Sequence, residues 1–327
     1  MKKPIVVSGL KPTGKLHLGN YLGAIKQYID FQKDPKIDNF FFIADYHALT
    51  QKYNASEKYD EIIEMIADML SLGIDPEKAT LYIQSDILEI ANVSWLLGNV
   101  ISAGQLQNMI EFREKVEQGQ PASCGLLNYP ILMAADILAF KASFVPVGED
   151  QRQHVELARD AARNFNKRFG ETFPVPQGIY VKGLRIKSLD DPSKKMSKSL
   201  PKGCLYLSDT PETLRKKVRS AVTDSGTEIV YDPENKPALA NLLTIYSEFS
   251  NRPIKDIEKD HKNSSYAVFK DALADVLIDE LSDFQERKAG IIKDKENLRK
   301  IFSEGSDKAR AIAAGTLKEM KQKTGLF

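Results

Sequence analysis

The first half of the chain alternates short β-branched or aromatic runs with longer stretches in which apolar residues recur at helical spacing. Runs at residues 5–7, 40–44, 81–84 and 144–147 predict buried strands. Residues 21–32 carry Leu22, Ile25 and Ile29. Residues 57–72 carry Ile62, Ile63, Ile66, Met69 and Leu70 and stop at Gly73, so both stretches predict amphipathic helices. Strands alternating with helices predict an α/β fold: a Rossmann-like, doubly wound parallel sheet covered on both faces, with ligands at the carboxyl ends of its strands. Past about residue 203 the strand signal fades. Residues 211–222, 238–249, 266–291 and 296–323 read as helices, so a C-terminal α-helical domain is expected. The expected division is a sheet domain at 1–187, a connecting loop at 188–202, a helical domain at 203–292 and a last helical segment at 293–327.

Composition narrows the class. The 327 residues are 42% hydrophobic and 28% charged, a globular balance with room for one large domain and a smaller one. No apolar run reaches membrane-spanning length, and the chain enters its first strand without a signal-peptide pattern, so a cytoplasmic protein with no membrane partner is expected. Two cysteines, Cys124 and Cys204, form no disulfide framework or zinc pair, and His17, His47, His154 and His261 are too scattered for a metal set. The net charge of +1 does not mark a strongly basic nucleic-acid binder. Trp95, the only tryptophan, is expected to serve packing.

The first strand breaks into residues 8–20, where three glycines and a proline bend the backbone. Lys11, Thr13, Lys15, His17 and Asn20 supply mainly donors and cations, and the following helix points its amino end into the same space. That set suits an anion, above all a polyphosphate, although His17 and Asn20 also read as an ordinary capped helix start. Far along the chain stands Lys195-Met196-Ser197-Lys198-Ser199, between Pro192 and Pro201, with Lys194 before it. Seen alone it is a solvated basic loop. Together, His17-Leu18-Gly19-Asn20 and this run resemble the two signature sequences of the class I aminoacyl-tRNA synthetases. The resemblance implies a mobile lid whose ammonium groups neutralise departing phosphates.

Two further stretches carry chemistry. Gly148-Glu149-Asp150-Gln151 follows a strand; Asp150 is either a helix cap or an acceptor for ribose hydroxyls, with Gly148 allowing close approach. Tyr129, Met133 and Asp136 fall on one helical face. A carboxylate in so apolar a run needs a partner. A lysine or a helix end would serve. So would an indole, a flat apolar body whose single N–H only donates, and such a pocket rejects ligands lacking the donor by roughly four orders of magnitude.

The Gly-Glu-Asp-Gln run and the helix around Asp136 resemble those of the bacterial tryptophan enzymes within the class I family, and the resemblance covers essentially the whole chain. It implies ATP-dependent activation of L-tryptophan and transfer to tRNA(Trp), with Mg2+ held by the ATP phosphates and no protein metal site. By the same resemblance His17, Asn20, Lys115, Lys195 and Lys198 are catalytic. ATP is held by Lys11, Pro12, Thr13, Gly19, Asn20, Gly148, Glu149, Asp150, Ile186, Lys195, Met196, Ser197, Lys198 and Ser199. Tryptophan is held by Asp136, Met133, Tyr129, Gln151 and His47. Lys115 also reads as part of an ion-pair ladder on a helix surface, and Ile186 as ordinary core. The resemblance further implies a homodimer, anticodon reading by the helical domain, and a last helix that returns to the catalytic domain. Val7, Lys11, His17 and Tyr46 depart from the family's commoner residues. A tyrosine enzyme and a non-catalytic, synthetase-like RNA-binding protein remain as alternatives.

Overall fold

The computed structural model describes residues 3–180, 186–198 and 200–326. The chain divides into two compact units, one of residues 1–14, 27–181 and 294–327, the other of residues 15–26 and 182–293.

The first unit is built on five parallel strands: β1 (Ile5–Leu10), β2 (Asp38–Ile43), β3 (Ala79–Ile83), β4 (Phe144–Val147) and β5 (Gln177–Tyr180). Their order is β3-β2-β1-β4-β5, with Val7 opposite Phe40 and Val6 opposite Phe144. The chain builds outward from β1 through β2 to β3, then returns to β1's other side for β4. The order therefore reverses between β1 and β4, and in open parallel sheets the crevice at the carboxyl ends of such strands is where ligands bind.

Alternation along the strands covers both faces of the sheet. Val7, Phe40, Phe42, Tyr82 and Val145 join one cluster with Ile90, Val93 and Leu97 of the Leu88–Gly98 helix and Ala134, Ala135 and Leu138 of the Cys124–Leu138 helix. Phe41, on the opposite face, stacks on Tyr28 with ring centroids 4.3 Å apart. The second strand is thus apolar on both sides, as a central parallel strand must be. The Ala55–Ser71 helix starts earlier than its apolar spacing predicts because Asn54 caps it, accepting the Ser56 N–H at 3.2 Å. At the sheet's edge, the Lys295–Thr324 helix packs on β3; a Cβ on Gly305 would lie 1.8 Å from the Leu81 carbonyl oxygen.

Trp95 corrects the packing expectation, being 78% exposed. Ile90, Val93 and Leu97 take the inward face of its helix, and Leu88, Ala91 and Trp95 line the outward one. The fifth strand went unforeseen: Gln177 and Gly178 give it no apolar run.

The second unit is largely helical, with Pro211–Arg219, Pro237–Ser250, Ile254–Asp260 and Tyr266–Ile291 as its main helices. The first of these ends at Arg219, shorter than its sequence suggests. Arg219 and Arg215, one turn apart, pair with Asp271 at 2.6 Å and Asp275 at 2.5 Å on the Tyr266–Ile291 helix. Residues 15–26 belong to this unit and include a π-helical segment, Tyr21–Ile25, of the kind frequent at functional sites.

Candidate active site

In the first unit, β1 ends at Leu10 and releases Lys11, Pro12 and Thr13 at the sheet's switch point. Gly14 then takes φ +78°, a left-handed conformation that favours glycine. Pro12 is buried, and its carbonyl accepts Lys58 Nζ at 3.3 Å.

Asp136 is 1% exposed. One oxygen meets His47 Nε2 at 2.8 Å, and the Gln84 amide donates to both oxygens at 2.8 and 2.9 Å. Its partners are therefore an imidazole and an amide, neither a lysine nor a helix end. Burial pushes the Asp136 carboxyl above the usual carboxylate range, against the pull of His47 and Gln84. A carboxylate offers about four lone-pair directions, so three hydrogen bonds leave room for one more donor. His47 Nδ1, Gln84 Oε1 and the Tyr82 hydroxyl are also buried, with no partner among the described residues.

Tyr129 is the centre of a second cluster. Its ring lies 6.2 Å from that of His47, and its hydroxyl meets Glu111 Oε2 at 3.0 Å and His154 Nε2 at 2.6 Å. The ammonium groups of Lys11 and Lys115 each stand 5.7 Å from the Tyr129 ring centroid. Lys115 also pairs with Glu111 at 2.6 Å. That is the helical ion pair the sequence allowed, but the two side chains are only 15% and 27% exposed, so it is no solvated ladder. Burial holds the Lys11 ammonium below its ordinary pKa, with Glu111 acting against the shift. Met133 is partly buried against the core.

After β4, a Cβ on Gly148 would meet only the end of the exposed Asp150 side chain, 2.5 Å from Oδ1. Gln151 donates to Asp150 Oδ2 at 3.0 Å, and Glu149 pairs with Arg152 at 2.6 Å, both exposed.

In the second unit, the structure brings His17 under the influence of Lys198 and Lys195. Burial first, then these two charges, lower the imidazole pKa to about 4. His17 Nδ1 is buried with no partner among the described residues. Asn20 Oδ1 accepts the His17 N–H at 3.1 Å, so the capping role is present, and a Cβ on Gly19 would lie 3.0 Å from the imidazole. The lysine loop is anchored by Met196, 1% exposed, whose N–H donates to the Ile186 carbonyl at 2.9 Å. Lys195 itself is exposed, and Ser197 and Lys198 are partly buried. Ile186 is 2% exposed. Ser199 lies outside the described residues.

Sequence reasoning missed Glu111, Gln84 and His154. Among the described residues no cluster of His, Cys, Asp and Glu could hold a metal ion. Lys195 and Lys198 put positive charge beside His17.

The family described as tRNA synthetases class I (W and Y) matches residues 1–282, and the chain belongs to that family. Among its relatives is the tryptophan–tRNA ligase of Caldanaerobacter subterraneus subsp. tengcongensis, 45% identical over 98% of each chain. The solved tryptophanyl-tRNA synthetase of Mycoplasma pneumoniae is 33% identical with a TM-score of 0.88, covering 99% of this chain and 98% of that one. That of Campylobacter jejuni, complexed with ADP and tryptophan, is 36% identical with a TM-score of 0.86, covering 98% of this chain and 100% of that one. Within the class the chain stands with the bacterial tryptophan–tRNA ligases.

Proposed function

We propose how the residues of this tryptophan–tRNA ligase divide the work of joining tryptophan to tRNA(Trp) at the expense of ATP. Asp136 accepts the indole N–H, with His47 and Gln84 holding its carboxylate in place, while Met133 and Tyr129 border the ring. Gln151 and the Tyr129 hydroxyl face the ammonium group. Gly148, Glu149 and Asp150 receive the ribose, and Ile186 the adenine. Lys11, Pro12, Thr13 and Gly19 complete the nucleotide contacts, with Met196, Ser197 and Ser199 in the lysine loop.

The tryptophan carboxylate attacks the α-phosphorus in line, the bond to the bridging oxygen breaks, and pyrophosphate leaves with the electron pair. No protein nucleophile is needed. His17 and Asn20 steady the phosphate chain. Lys195, Lys198 and Lys115 offset the charge that grows on it, an effect worth about 3 kcal/mol per well-placed donor. Magnesium bound with ATP would add neutralisation at the same oxygens. The adenylate then passes its acyl group to the 2′-hydroxyl of the terminal adenosine, releasing AMP. The observation that carries the amino-acid assignment is the buried Asp136 carboxylate, bonded to an amide and an imidazole and able to take one further donor.

The same reading gives the helical unit the anticodon, the protein a cytoplasmic site of action beside its tRNA, and the enzyme a homodimeric form with one tRNA spanning both subunits. Leu88, 65% exposed, and Trp95, 78% exposed, on one helix face support a pairing surface for a second copy.

Pyrophosphate exchange with each of the twenty amino acids tests the assignment, and greater stimulation by tyrosine than by tryptophan would defeat it. Asp136→Ala is expected to raise the tryptophan KM by roughly a hundredfold or more, since it strips the indole of its acceptor. Lys195→Ala is expected to lower kcat with the tryptophan KM within a factor of about three, because its charge acts at the transition state. Swapped effects would reverse the two roles.

A further inference from the structure

Lys115 of its own helix and groups from three other stretches of chain gather around Glu111. Its Oε1 takes Lys115 Nζ at 2.6 Å, and its Oε2 accepts the Tyr129 hydroxyl at 3.0 Å and lies 3.7 Å from His154 Nε2. The fourth is Lys11, in the loop after β1, whose ammonium shares the Tyr129 ring with that of Lys115 and feels the Glu111 charge. An exposed Glu–Lys pair one helical turn apart does little beyond supporting its helix. Here the same carboxylate also satisfies the hydroxyl of a tyrosine that is 5% exposed, and it is the counter-charge for two ammonium groups.

We infer that Glu111 is a positioning residue for adenylate formation: it aims the Lys115 ammonium, fixes the direction of the Tyr129 hydroxyl, and keeps Lys11 and Lys115 from repelling each other out of place. The inference rests on the roles proposed above for Lys115 at the phosphates and Tyr129 at tryptophan. Burial raises the Glu111 carboxyl's pKa, but Lys115 and Lys11 outweigh it and hold the group down to about 2, so it stays charged at any working pH.

The expected signature is unlike that of a damaged fold. Glu111→Gln removes a negative charge that opposes the triphosphate, so ground-state binding of ATP does not weaken. What is lost is the aim of Lys115, which acts as charge develops. In pyrophosphate exchange, E111Q is expected to lower kcat at least tenfold with the ATP KM unchanged or reduced. A kcat within twofold of wild type in E111Q, or a raised ATP KM with normal kcat, would overturn the inference. Should E111Q not fold, Glu111→Asp decides: it keeps the charge but withdraws it by one methylene, and wild-type turnover there would show a merely structural carboxylate. Lys115→Ala separates the inference from its foundation. Normal turnover in that variant sinks the role of Lys115 and the inference with it, whereas a slow Lys115→Ala beside a normal E111Q sinks the positioning alone.

Discussion

Asp136 keeps a buried carboxylate satisfied through three hydrogen bonds from His47 and Gln84, which stand 89 and 52 residues away in the chain. The need for a partner was legible in the sequence, because a charge in an apolar helical run cannot stay bare. The partners were not, since nothing local to Gln84 distinguishes it from any polar residue at a strand end. Glu111 was hidden for a different reason: a glutamate four residues before a lysine reads as surface ornament until Tyr129 and His154 are seen against it. His154 yields a pH test. Burial lowers its pKa from 6.5 to about 4, so as pH falls below 6.5 the unfolded chain takes up a proton that the folded one refuses. Its contribution is complete above pH 6.5 and is lost as pH falls towards 4. Thermal midpoints of wild type and His154→Gln should therefore differ by a constant amount above pH 7. Below it, wild type should lose ground to the variant, and a gap that ignores pH would refute this reading.

At the scale of elements, periodicity located four strands, because a two-sided parallel sheet demands long apolar runs, and the long helices Ala55–Ser71, Tyr266–Ile291 and Lys295–Thr324. It failed at β5, where Gln177 and Gly178 stand in a four-residue edge strand that pairs only with β4. Trp95 was misread for another reason: residue type suggested burial, and helical phase put the side chain outside. Gly305 offers the sharpest test of an element contact. Any side chain there must push the Lys295–Thr324 helix off β3, since a Cβ would stand 1.8 Å from the Leu81 oxygen. Gly305→Ala is expected to lower unfolding free energy by about 1–3 kcal/mol, overriding alanine's better helix propensity, and urea denaturation would show it. An unchanged or higher midpoint would mean the helix is not seated on the strand.

For the molecule as a whole, the apolar surface of the Leu88–Gly98 helix bears on assembly. Trp95→Glu would place a charge in the centre of the proposed pairing surface, and sedimentation is expected to show a single subunit where wild type sediments as two. Wild-type sedimentation as a monomer, or a dimer untouched by the change, would remove that face from consideration. The helix over β3 has a consequence for how the enzyme is made. An outer parallel strand presents unpaired backbone groups to any passing chain, and here its cover comes from residues 295–324, which emerge from the ribosome long after β3 itself. Through most of its synthesis the nascent sheet waits with that flank bare, open to pairing with any chain nearby.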